Sequence, residues 1–389
     1  MSDRQKDLHL FIPGPASVSS GVLEAMGHPI TPHYGGDFVA AYNRCLECMQ
    51  QVFLTANDLY LIVGPGTAAI DAALTSALPD GAPVLVLTNG FFGSRFVEMC
   101  QMNRAETEVM EFEPGEPIDA GMVEERLATG SEVAAVVWVH HETSMGVLNP
   151  VERIAAAARK HGALSIVDAV ASIGGTEMRV DDWGVDLCVS VGNKCLATPP
   201  GIAAISVSDR AWEAIDRNDS SRGWYLDLRT WRKYRQDWPV WHPYPTTVPT
   251  SVLYALRTGL EEVLAEGLEH RIARTAEAAN AVRRGLRQVG FEMFVDDEWA
   301  SPITTSVKAH PSVPADELLG YLRDVHNMHL SGGIGPMHGK IFRIGHMGRA
   351  IEREEVELLL HAIEEGLRRE GVEIPLGASL EGIWPEVAV

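Results

Sequence analysis

The chain has 389 residues, 46% hydrophobic and 22% charged, which excludes disordered, collagen-like and low-complexity classes. Its 32 basic and 53 acidic residues leave a formal charge of −21, a field that repels polyanions and argues against a nucleic-acid partner. No apolar run approaches the roughly 18–20 residues of a membrane span, and five cysteines, sparse and odd in number, argue against a disulfide framework.

The polar start, MSDRQKDLHL, has no signal-peptide core, so a soluble cytoplasmic enzyme is expected. Residues 1–20 read as an irregular arm. Apolar runs without polar alternation follow at Tyr60–Val63, Pro83–Thr88, Ala134–Val139, Leu164–Val167, Leu187–Val191 and Ile202–Val207. Such runs are strands buried on both faces, as in a parallel sheet. Helical patterns lie between them. Thr67–Leu78 ends at Pro79-Asp80-Gly81, and Val151–His161 is bracketed by Asn149 as cap, Pro150 in the first turn and Gly162 after the end. This alternation predicts an α/β domain over 21–255. Residues 222–250 carry four of the nine tryptophans and no clear period. A helical register then runs from Leu256 to Val289, followed by strand Ile303–Val307, helix Ala315–Asn327, strand Lys340–Ile344 and helix Arg353–Glu370. A smaller α+β domain over 256–389 is expected.

Three strand ends carry chemistry. Gly64-Pro65-Gly66-Thr67 leads from a strand into a helix, where free N–H groups and the positive helix end favour an anion; a plain turn is the alternative. Asp168 ends an apolar strand, where ligands of open α/β sheets bind; a helix cap is the alternative. Lys194 follows another such strand, and burial there would make it a nucleophilic amine; a surface lysine is the alternative. An anion site, a carboxylate and an amine on one sheet edge are the partners that pyridoxal 5′-phosphate requires. Cys45-Leu46-Glu47-Cys48 has no second ligand pair and reads as a packed helix face, and His140-His141-Glu142 is not a zinc motif.

Further stretches carry a resemblance: Phe11-Ile12-Pro13-Gly14-Pro15, Asn89-Gly90-Phe91-Phe92-Gly93, His141-Glu142-Thr143-Ser144-Met145-Gly146, Asn193-Lys194-Cys195, Pro199-Pro200-Gly201 and Phe342-Arg343-Ile344-Gly345. Over nearly its whole length the chain resembles class V, fold-type-I aminotransferases that use pyridoxal phosphate. It is similar to the alanine/serine–glyoxylate enzymes and to the 2-aminoethylphosphonate–pyruvate and pyridoxamine–pyruvate enzymes. The resemblance implies a large α/β domain with a mainly parallel, seven-stranded sheet and a smaller C-terminal α+β domain. It implies that Lys194 forms the Schiff base and shuttles a proton, that Asp168 pairs with the pyridinium, and that Phe92 stacks on the ring. Thr143 and Asn193 would contact the cofactor, Gly66 and Thr67 its phosphate. Tyr244 and Thr247 would reach the phosphate of the neighbouring subunit, making a homodimer with shared sites. Arg343 would bind the substrate carboxylate, with Gly14 and Tyr34 (near His28 and His33) at the substrate mouth.

Two departures matter. Pro65 replaces a frequent serine, removing one phosphate hydroxyl. The acidic residue and the additional arginine of the pyridoxamine–pyruvate enzymes are absent, with Pro65 and Ile334 in their places. The implied reaction is a ping-pong transfer from a small amino donor to a 2-oxo acid, pyruvate or glyoxylate. Pyridoxamine or 2-aminoethylphosphonate as donor, or a lyase, are the alternatives within the same chemistry.

Overall fold

The computed structural model describes residues 8–220 and 223–385, so the first seven residues of the expected arm lie outside it. Seven strands form the central sheet: β1 (Asp58–Val63), β2 (Pro83–Thr88), β3 (Glu106–Glu111), β4 (Ala135–Val139), β5 (Leu164–Asp168), β6 (Leu187–Val191) and β7 (Ile202–Val207). Their order is β1-β7-β6-β5-β4-β2-β3. Only β7 runs antiparallel to its neighbours, and the other pairs are parallel. Every residue of β4, β5 and β6 is buried, which is why they read as unbroken apolar runs. β3 was not foreseen. It is the edge strand Glu-Thr-Glu-Val-Met-Glu, with three exposed glutamates that blunt the edge and the other residues half-buried, instead of an apolar signal.

Helix Gly66–Ala77 packs against the sheet through Ala69, Ala72 and Ala73, small residues that allow close approach. Helix Val151–Lys160 stands as expected, but Asn149 does not cap it; Pro150 occupies that position. The Asn149 amide is buried and committed elsewhere. It donates to the Val139 carbonyl at 2.8 Å and accepts from the Ile118 and Asn89 N–H groups. Cys45 and Cys48 are buried on the packed face of helix Gly36–Phe53.

The long register after 250 is two helices, Thr250–Glu266 and Leu268–Gln288. Gly267 separates them at φ +89°, a conformation that side chains disfavour. Leu253 to Val263 join the first core, whereas Ala278 to Val289 join a second. The second core is built on β8 (Thr304–Lys308), β9 (Ser331–Gly332) and β10 (Ile341–Gly345), antiparallel in the order β8-β10-β9. Helices Ala315–His326 and Arg353–Arg369 complete it.

The arm is a stitch between the cores. His9–Leu10 pairs with Met328–His329, Phe11 is buried in the second core, and the Gly345 N–H donates to the Phe11 carbonyl at 2.6 Å. Five residues on, the Ala16 N–H donates to Asn193 at 3.0 Å. The chain between them crosses the lysine. Among the described residues, no helix is long and apolar enough to cross a membrane.

Candidate active site

Because β7 is antiparallel to both β1 and β6, the C-terminal ends of β1, β5 and β6 share one sheet edge with the start of β7. A cavity of about 490 Å³ opens there, within the range of small-molecule and cofactor sites. Gly66 and Thr67 line it after β1, Asp168 at the end of β5, Asn193 and Lys194 after β6, and Phe92 from helix Phe91–Met102. Six sequence-predicted residues therefore meet in one space.

Gly66 opens helix Gly66–Ala77 with no side-chain cap, so the first N–H groups of that helix remain available to an anion. A Cβ at Gly66 would lie 2.6 Å from Val170 and 3.1 Å from Val191, so only glycine lets the helix start this close to β5 and β6. Pro65 holds the cap position, and its missing hydroxyl leaves backbone groups and Thr67 to meet an anion.

Lys194 is mostly buried, and loss of solvent lowers its pKa. Its ammonium donates to the Pro13 carbonyl. Gly14, at φ +91°, lies against it: a Cβ there would sit 2.4 Å from Lys194 Cδ and 2.5 Å from Nζ. Gly14 thus touches the amine, by close approach of the arm. The carbonyl after the lysine, that of Cys195, accepts two bonds from the buried Arg271 guanidinium, at 3.2 and 2.6 Å. Arg271 pairs with Glu266 on the helix before Gly267.

Asp168 Oδ1 accepts from the Val170 N–H at 2.8 Å. Burial nonetheless pushes its pKa up to about 6, with nearby Glu142 adding to the rise and the Lys194 and Arg95 charges opposing it. The unfolded value is about 3.9. Folding therefore takes up a proton between about pH 4 and 6, and stability falls as pH rises through that window. Asp168→Asn retains an acceptor for Val170 and removes this loss. The cofactor-free variant should be more stable than the parent at pH 8, by on the order of 2 kcal/mol, with the gap closing toward pH 4. Paired melts at the two pH values check this; a gap independent of pH contradicts it. A cation beside Asp168, such as a protonated ring nitrogen, would instead make the charged form favourable.

Arg343 lies on β10, paired with Ser306 and Ser331, and is 6% exposed. Its Nε and Nη2 both donate to the Gly332 carbonyl, at 3.0 and 2.9 Å, and Nη1 donates to the Thr143 carbonyl at 3.2 Å. A guanidinium has five N–H groups. Among the described residues, these bonds leave one N–H on each terminal nitrogen unpartnered. Burial pulls its pKa down to about 10, so it remains charged at neutrality, and its charge lowers that of Lys194. Buried His141, held near 3 by burial, donates or accepts with Thr304 at 3.0 Å and adds no charge.

Arg343, Gly14 and the remaining predicted residues are not among those that line the cavity. The Thr143 side chain is buried and donates to the His141 carbonyl at 3.3 Å. Tyr34 is exposed among rings, in contact with His33 and Trp241. Tyr244 is fully buried, its hydroxyl donating to the His33 carbonyl at 2.5 Å, while Thr247 on the same loop is exposed. Arg95 was not anticipated. It lines the cavity with its guanidinium 5.0 Å from the Phe92 ring centre, and the available signal was a cation one helical turn after that ring.

Residues 19–359 match the model of the family described as aminotransferase class V. An uncharacterised aminotransferase of Methanocaldococcus jannaschii is 38% identical over 371 residues, 94% of this chain and 96% of that protein. The crystal structure of the ureidoglycine–glyoxylate aminotransferase from Bacillus subtilis superposes with a TM-score of 0.90 at 32% identity, covering 96% of each chain. That of the pyridoxamine–pyruvate aminotransferase from Mesorhizobium loti gives 0.91 at 29% identity, covering 97% and 96%. A cavity with amine, carboxylate and anion cup fits pyridoxal phosphate, the cofactor of this family. The chain belongs to the class V aminotransferases, fold-type-I transaminases dependent on pyridoxal phosphate.

Proposed function

We propose that this enzyme moves an amino group from a small amino donor to glyoxylate or pyruvate in a ping-pong cycle. The observation that carries this is the meeting of Lys194, Asp168 and the Gly66–Thr67 helix start in one cavity, with the Arg343 charge felt at the lysine. Relatives named for ureidoglycine, aspartate or alanine as donor with glyoxylate, and for pyridoxamine with pyruvate, support the acceptor class.

Bound pyridoxal phosphate supplies an aldehyde and an electron-accepting ring. Lys194 Nζ holds the cofactor and, once displaced by the donor, takes the proton from the donor's α-carbon; its lowered pKa suits an amine that must act as a base near neutrality. Asp168 keeps a ring nitrogen protonated by supplying the charge opposite to it. Phe92 presents a flat apolar surface, and Gly66 and Thr67 bind the phosphate. Arg343 holds one carboxylate through its two free N–H groups.

The active unit in this proposal is a homodimer. Exposed Thr247 is free to reach a neighbour's phosphate, whereas Tyr244 does so only by releasing the His33 carbonyl.

The test is a spectral titration of the cofactor-loaded enzyme with alanine, serine, 2-aminoethylphosphonate and pyridoxamine, then with 2-oxo acids. The cofactor band should be lost with one donor and restored by glyoxylate or pyruvate, but not by 2-oxoglutarate. Continuous turnover of the donor without any 2-oxo acid would show a lyase instead.

A further inference from the structure

Glu142 is fully buried, and the proposed chemistry gives it no part. Its carboxylate lies fifty residues downstream of Phe92, in the first turn of the helix it serves. Oε2 accepts the Phe92 N–H at 3.1 Å and the Gly93 N–H at 3.0 Å. Oε1 accepts the Ser144 N–H at 3.0 Å and the Ser144 hydroxyl at 2.5 Å. The Ser144 hydroxyl in turn accepts the Phe91 N–H at 3.0 Å. The first three N–H groups of helix Phe91–Met102 are thus all satisfied by one turn of a distant segment, and the helix has no cap of its own.

The same turn faces the substrate side. Between Glu142 and Ser144, the Thr143 carbonyl accepts from Arg343 Nη1. Gly90 is part of the arrangement, because a Cβ there would lie 2.6 Å from the Glu142 carboxyl carbon and 2.7 Å from the Ser144 hydroxyl. Burial raises the Glu142 pKa, and the donors around its carboxylate oppose that rise and favour an ionised acceptor at the positive end of a helix.

We propose that Glu142 is a positioning residue that locks the cofactor-facing Phe92 and the carboxylate-binding Arg343 into one rigid unit. It acts through the first turn of the Phe92 helix on one side and through the Thr143 carbonyl on the other. This rests on the reading of the cavity as the pyridoxal-phosphate site. Glutamine cannot replace glutamate here, since its amide N–H groups would face donors on one side or the other.

The experiment compares parent, Glu142→Gln and Ser144→Ala, each stripped of cofactor and reloaded with pyridoxal phosphate. Affinity is read by equilibrium dialysis, and ring geometry by the circular dichroism induced in the cofactor band. Glu142→Gln should bind at least about tenfold more weakly with reduced induced dichroism, and should raise KM for the 2-oxo acid. Borohydride should still fix the cofactor on Lys194. Ser144→Ala, which removes the Phe91 contact and one support of the carboxylate, should shift affinity and dichroism the same way by a smaller factor. Parent-like affinity and dichroism in a folded Glu142→Gln protein overturn the proposal. If that variant does not fold, parent-like values in Ser144→Ala overturn it. A parent protein that binds no pyridoxal phosphate would refute the cofactor site itself, a separate failure.

Discussion

A Lys194→Ala enzyme should lose on the order of 10³-fold or more of kcat, because in the proposed function one amine serves as both covalent anchor and proton carrier. Charge alone will not restore it. Lys194→Arg keeps a cation beside Asp168 but offers no nucleophilic amine, so it should fail as fully as alanine. Both variants should fold: the side chain lines a cavity and, among the described residues, its one hydrogen bond is to the Pro13 carbonyl. Steady-state kinetics with far-UV dichroism as the control checks this. Appreciable turnover by Lys194→Arg would show that the lysine supplies only charge.

Removing Arg343 should be nearly as costly, but at a different step. In Arg343→Gln, the guanidinium proposed to hold the substrate carboxylate is gone and the Gly332 and Thr143 carbonyls lose buried donors. Truncating a buried charge of this kind costs about 2–5 kcal/mol, so kcat/KM for glyoxylate or pyruvate should fall by on the order of 10²-fold or more. Arg343→Lys should not rescue it, since an ammonium cannot present two parallel N–H groups. An amine donor without a carboxylate should lose far less than one that has it. Equal losses for both donors would mean that Arg343 supports the fold and not the substrate.

The parts of this site legible in sequence were those tied to an unbroken apolar strand. Asp168 ends β5, Lys194 follows β6 and Gly66 follows β1, so burial on both faces of the sheet announced each of them. Edge strand β3 carries glutamates where an interior strand carries valine, and left no such mark. Helical spacing of apolar residues passes through Gly267 uninterrupted, so periodicity alone could not show that the chain turns there from one core to the other. Asn149 has the composition of a cap, yet its amide satisfies three buried backbone and side-chain groups instead.

Contacts between distant segments were the least visible. Nothing in His141-Glu142-Thr143-Ser144 says that its carboxylate satisfies a helix start at Phe92, and nothing near Lys194 says that Arg271 grips the neighbouring Cys195 carbonyl. Gly14 was placed at the substrate mouth only through resemblance; its close approach to the Lys194 side chain exists only in three dimensions.

The central claim is that Lys194 is the amine that carries pyridoxal phosphate at the meeting point of β1, β5 and β6. The most direct measurement is to load the enzyme with one equivalent of pyridoxal phosphate, reduce it with borohydride, digest it and map the modified peptide by mass spectrometry. A single, near-stoichiometric label on the peptide containing Asn193-Lys194-Cys195 is the expected result. Label scattered over surface lysines, with Lys194 unmodified, would contradict the account.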